Sequence, residues 1–254
     1  MILSEPPPTQ GDLHFRLFEI PVRIHPFFWV ISLIIALRGQ STPPAEVLSW
    51  IAAVLVSILI HELGHALLQR RYGGNPRIVL HGMGGLAICG DCDRSSRSQI
   101  LISLAGPFAG FSFAVAVLVL VRLVGHQVGC TFDDQSPVRA LIRQSILGMT
   151  FYWERFQSPH VNLMIWNLLW INILWGAVNL LPIYPLDGGQ VSRELCQLSH
   201  PSEGLILSLR ISMIAAIGMA IVGIFWQSLL VVLMFGYFAY SSYKNLEAYR
   251  ASLW

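Results

Sequence analysis

His61, Glu62 and His65 form an HExxH sequence that follows directly on an apolar run, Val47–Ile60, with no charged residue in it. On a helix, residues four apart are separated by about 400°, so His61 and His65 share one face, one turn apart. That spacing lets two imidazoles bind a single zinc ion. Glu62 stands about 100° round from His61, within reach of a metal-bound water. With 8 histidines in 254 residues, a chance HExxH is expected on the order of once in a hundred such chains. The bland reading, polar residues at a helix end, leaves two imidazoles and a carboxylate against hydrocarbon, where ionisable groups are costly and usually functional.

A catalytic zinc takes three protein ligands and keeps one position open. The third ligand is expected from Asn179-Leu-Leu-Pro-Ile-Tyr-Pro-Leu-Asp187-Gly188-Gly189. Pro182 and Pro185 cannot continue an ordinary helix. Gly188 and Gly189 then predict a tight turn that swings Asp187 back toward the metal. An Asp-Gly pair is by itself a common surface turn. Paired with an HExxH at the same membrane depth, Asp187 is read as the ligand.

The elements that must position these groups are membrane helices. The chain is 54% hydrophobic and 12% charged, with mean hydropathy +0.60, which is the composition of a polytopic membrane protein. About six apolar segments approach spanning length: Val22–Leu37, Val47–Gln69, Ile100–Val121, Val161–Leu181, Gly204–Phe225 and Ser228–Tyr243. The predicted class is therefore all-α, a single transmembrane domain over residues 1–254. The N-terminal twenty residues, with Pro6-Pro7-Pro8 and several charges, do not read as a cleaved signal peptide. Ten Lys and Arg fall on the side of both termini and five on the other, which predicts cytoplasmic termini, with both motifs toward the cytoplasmic face. A net charge of +2 gives no reason to expect a nucleic-acid partner.

Two loops carry local signals. The Gly-rich stretch over residues 73–92, with Ile78-Val79-Leu80, predicts a small β-hairpin at the membrane. Ser136-Pro137 followed by Val138, Leu141, Ile142 and Ile146 predicts an interfacial amphipathic helix. Cys89-Gly-Asp-Cys92 lacks a second cysteine pair and is read as a reduced cytoplasmic thiol pair. His25 is read as an interfacial polar residue. Asn172 either lines a substrate groove or bonds a neighbouring helix, and Trp166, Trp170 and Trp175 are read as packing or interface anchors.

HELGH in a span, followed by Asn-x-x-Pro-x-x-x-x-Asp-Gly at the end of a later one, resembles the site-2 protease family of intramembrane zinc metalloproteases, in its six-span form. The entry Ile20-Pro-Val-Arg-Ile-His-Pro26 is similar as well. The family often has Gly-Pro-x-x-Asn in the next span; here Gly106-Pro107-Phe108-Ala109-Gly110 has Gly in place of Asn. The resemblance implies a three-helix catalytic core in spans 2 to 4. His61, His65 and Asp187 would hold Zn2+, Glu62 would be the catalytic base, and Asn179 would steady the substrate or the developing oxyanion. It also implies regulated intramembrane proteolysis of membrane proteins that carry a transmembrane helix, in a bacterial inner membrane. No loop has room for a PDZ or CBS domain, so regulation of that kind would be absent or supplied by another protein. A zinc transporter would need further ligands along spans 1, 3, 5 and 6, which offer only Arg210 at depth. An inactive scaffold would not need the intact Glu62.

Overall fold

The computed structural model describes residues 5–37, 42–132 and 141–251. They fall into two compact units, Met1–Cys92 with Gly106–Gly176, and Asp93–Ala105 with Ala177–Trp254.

The first unit is built on α2 (Pro44–Arg71). Its 28 residues make a helix roughly 42 Å long. Pro44 suits the first turn, where an N–H has no helical partner. Glu46 in the first turn and Arg70 and Arg71 in the last complement the helix dipole. A four-stranded sheet lies against α2, in the order β1 (Leu13–Leu17), β2 (Ile20–Ile24), β3 (Arg77–His81), β4 (Gly84–Ile88). β1 and β2 are antiparallel, β2 and β3 parallel, and β3 and β4 antiparallel. The period-two alternation of β2 and β3 turns Ile20, Val22, Ile24, Ile78 and Leu80 into one core with Phe28, Ile58 and Ala66. Burying those side chains fixes the sheet over the HExxH turn of α2. The β3–β4 pair is therefore part of a larger sheet, completed by the two strands β1 and β2 that precede α1.

This unit also holds α3 (Ser96–Leu123) from Gly106 onward and α4 (Pro159–Asn179) up to Gly176. Asn167 Nδ2 donates to Ser49 Oγ at 3.2 Å, and Asn172 Nδ2 donates to Ser57 Oγ at 2.8 Å. Both pairs rise together in sequence number, so α2 and α4 run in the same direction. Asn172 is thus interhelical glue, and Asn167 shares that role. Asn172→Ala should cost about 1 kcal/mol, the scale of amide–hydroxyl bonds between membrane helices. Unfolding in mixed micelles against wild type measures it.

The segment between α3 and α4 forms a second sheet, β5 (Val128–Thr131), β7 (Met149–Glu154) and β6 (Leu141–Ile146), in that order and antiparallel throughout. The helix predicted here is corrected: Leu141–Ile146 is a strand, while Ser136–Val138 lie outside the described residues. Leu147 (φ 51°) and Gly148 (φ 81°) close a two-residue hairpin between Ile146 and Met149. Two left-handed residues match the twist of paired strands. Fully buried Trp153, with Phe151 and Ile146, packs on Val117, Val121, Ile165 and Leu169.

In the second unit α5 (Asp187–Ser199), α6 (Gly204–Phe225) and α7 (Leu229–Ala251) follow α4. Ser212 Oγ on α6 accepts from the Tyr184 amide at 2.8 Å and pairs with Ser242 Oγ on α7 at 2.8 Å, which ties the loop after α4 to both helices.

The chain is mostly helical, and the all-α expectation is corrected by the two sheets. Among the described residues, α2, α3, α4 and α6 are long and apolar enough to cross a membrane. Six such segments were expected. Ile20–Ile24 is a strand, which leaves α1 (Pro26–Ala36) with 11 residues, too few to span a bilayer. In α7 the half that holds Lys244, Asn245 and Glu247 lowers the hydropathy.

Candidate active site

His61, Glu62 and His65 are 4%, 5% and 6% exposed on α2. Their positions follow from helical spacing alone, and their burial follows from what covers them. The Nε2 atoms of His61 and His65 are 3.2 Å apart, and the rings meet edge-on with centroids 4.9 Å apart. Two imidazole nitrogens at zinc distance on adjacent corners of a tetrahedron would be about 3.3 Å apart. The pair therefore fits a shared metal ion as it stands.

Gly106 of α3 explains how another helix approaches so closely. A Cβ built there would stand 2.7 Å from His61 Nε2 and closer still to His65 Nε2. Gly85 of β4 does the same for the carboxylate: its Cβ would be 2.6 Å from both Cδ and Oε1 of Glu62. Any side chain at 106 would occupy the space in front of the two nitrogens, and any at 85 would displace Glu62. The sequence alone places Gly106 in the Gly-Pro pattern and Gly85 in a predicted hairpin that could pair with a substrate strand, and puts neither against the HExxH side chains. The signal for both was there as glycine in otherwise apolar or strand-forming sequence, where glycine commonly marks close backbone approach.

Position 110, where the related pattern often has Asn, is packed beside an amide of α4. A Cβ on Gly110 would be 3.5 Å from Asn172 Oδ1. His25 is the N-cap of α1, its Nδ1 accepting from the Phe27 amide at 3.2 Å. Trp175 packs on Gly84, in keeping with its reading as a packing residue. Cys89 and Cys92 form a disulfide, which corrects the expected thiol pair. The short turn after β4 brings their Cα atoms to 5.8 Å, inside the range a disulfide spans. Asp91 between them accepts from the Asn75 amide at 2.9 Å and from its side chain at 2.7 Å, and these bonds hold its carboxyl below the usual range.

In the second unit Asn179 is the buried last residue of α4, and Asp187, half-buried, is the first residue of α5. The tight turn expected at Gly188-Gly189 is corrected: both glycines are helical. They are required because α5 begins hard against the preceding loop. A Cβ at Gly188 would be 2.5 Å from Leu181 O, and one at Gly189 would be 2.5 Å from Ile183 O. The Tyr184–Pro185 peptide is cis.

The sequence model of peptidase family M50 matches residues 49–225. A zinc metalloprotease of Methanocaldococcus jannaschii is 24% identical over 71% of the chain and 44% of its own length. Stage IV sporulation protein FB of Bacillus subtilis is 29% identical over 68% of the chain and 46% of its own length. The chain thus spans about half the length of these relatives. Among solved structures, the site-2 protease from Methanocaldococcus jannaschii superposes with a TM-score of 0.56 at 19% identity, covering 92% of this chain and 95% of that one, a likeness of fold.

Proposed function

Because the chain belongs to peptidase family M50, we propose that it is an intramembrane zinc metalloprotease that cuts membrane proteins in or beside a transmembrane helix, acting as a single domain over residues 1–254. The observation that carries this reading is the pair of Nε2 atoms 3.2 Å apart on an apolar helix, with Glu62 beside them. In this reading His61, His65 and Asp187 hold one Zn2+. Two imidazoles and a carboxylate are a usual catalytic donor set, and they leave one position open. Zinc bound there would acidify a water and polarise the scissile carbonyl.

The remaining chemistry belongs to side chains. Glu62 takes the proton of the attacking water and returns one to the leaving amine. Asn179 steadies the substrate carbonyl. The scissile segment must be unwound, since helical carbonyls are engaged in intrahelical bonds. We place both termini in the cytoplasm of a bacterial inner membrane on the Lys/Arg distribution, with a regulatory partner supplying control.

Elemental analysis tests the metal set. Wild type should hold about one zinc per chain, and His61→Ala/His65→Ala none. Asp187→Asn should retain zinc weakly, because an amide oxygen is a poorer ligand than a carboxylate. Equal zinc in wild type and the double histidine variant removes the site.

A further inference from the structure

The sheet of the first unit has a second face that the proteolytic reading does not use. Its strands alternate, so the register that buries Ile20, Val22, Ile24, Ile78 and Leu80 turns His14, Arg16, Arg23 and Arg77 to the opposite side. These basic residues line a cavity of about 550 Å3, with apolar walls from Phe15, Pro21 and Val79. A concave, mostly apolar surface with a few converging charged groups is the usual form of a small-ligand site.

The cavity already holds anions of the protein's own. Arg23, whose side chain is 11% exposed, donates from one nitrogen to Asp12 Oδ2 at 3.0 Å and from the other to Glu5 Oε1 at 3.0 Å and to Pro6 O at 2.8 Å. Arg77, half-exposed, donates to Glu5 Oε2 at 2.7 Å. Glu5 therefore bridges two guanidinium groups from neighbouring strands. Its carboxyl is held below the usual range, chiefly by the Arg77 hydrogen bond. Asp12 is held lower, at about 2, first by the Thr9 hydroxyl and then by the Thr9 amide and Arg23. Asp12 is thus the fixed partner of Arg23. Glu5, on an extended N-terminal segment, occupies the place of a ligand anion.

Charge decides what such a ligand would be. Arg16, Arg23 and Arg77 contribute three positive charges, and Glu5 and Asp12 two negative ones. With Glu5 displaced, the cavity carries two uncompensated positive charges, which match a phosphate dianion. Guanidinium forks suit phosphate oxygens bidentately. We propose that this outer sheet face is a binding site for a phosphate monoester, which replaces the Glu5 carboxylate between Arg23 and Arg77 and also engages Arg16. The phosphate belongs to a soluble organophosphate or to an anionic lipid headgroup.

Calorimetry on the full-length protein in neutral detergent tests it, with inorganic phosphate as one probe and short-chain phosphatidic acid, against phosphatidylcholine, as the other. Wild type should bind phosphate saturably at one site. Arg77→Ala and Arg16→Ala should each weaken binding at least about tenfold. Glu5→Gln should tighten it severalfold, because the competing carboxylate is gone, and this gain separates the proposal from a general loss of folding. Affinity for phosphatidic acid well above that for phosphate assigns the lipid, and equal affinities assign a soluble phosphate. The proposal is overturned if neither probe saturates wild type or Glu5→Gln, or if the arginine variants bind as wild type does.

Discussion

Glu62→Gln should leave zinc in place and reduce proteolysis at least about 10²-fold, the scale expected when a positioned general base is lost. Glutamine matches glutamate in size, so it fits the same space beneath Gly85, where a Cβ would be 2.6 Å from Cδ and Oε1 of Glu62. Its amide has no basic site for the proton of a water. Glu62 is not one of the proposed ligands, so metal content should stay near one zinc per chain. Asp187→Asn should look the same in a cleavage assay and different in a metal assay. Cleavage of a co-expressed single-span membrane protein, read beside elemental analysis, distinguishes the two. Wild-type cleavage by Glu62→Gln would falsify the protease assignment of this residue.

Gly106→Ala should empty the metal site without altering a single ligand. In a helix interior this exchange ordinarily stabilises by about 1 kcal/mol. Here the added methyl would stand 2.7 Å from His61 Nε2 and closer to His65 Nε2, which is the space a shared ion would take. The two rings must shift to admit it, so the variant should carry almost no zinc and cleave no substrate while keeping the helical circular dichroism of the wild type. Both readouts matter, because loss of the fold would lower the helical signal together with zinc. A Gly106→Ala protein with wild-type zinc content would mean that α3 does not close over the two imidazoles.

The sequence by itself determined what depends on local spacing. The i, i+4 geometry of His61 and His65 and the apolar run that carries them are properties of one helix, and α2 bears them out with both nitrogens turned to one point. α3, α4 and α6 were legible for the same reason, since a helix in lipid must satisfy its own backbone and shows this as a long uninterrupted apolar stretch. The paired motifs, each a short local stretch of sequence, are enough to carry the family resemblance.

Tertiary structure decided what depends on pairing across distance. Val22–Ile24 reads as the start of a span until Ile78–Leu80, more than fifty residues later, takes it as a parallel neighbour. Leu141–Ile146 has apolar residues at both helical and strand spacing, and only the Leu147-Gly148 turn and its partner β7 choose between them. Gly188 and Gly189 read as a turn because the sequence does not show that a helix start is pressed against the preceding loop. Gly106 and Gly85 were the least legible of all. What they contribute is the absence of a side chain where a distant imidazole and a distant carboxylate need the room, and that absence acquires meaning only once the backbones have met.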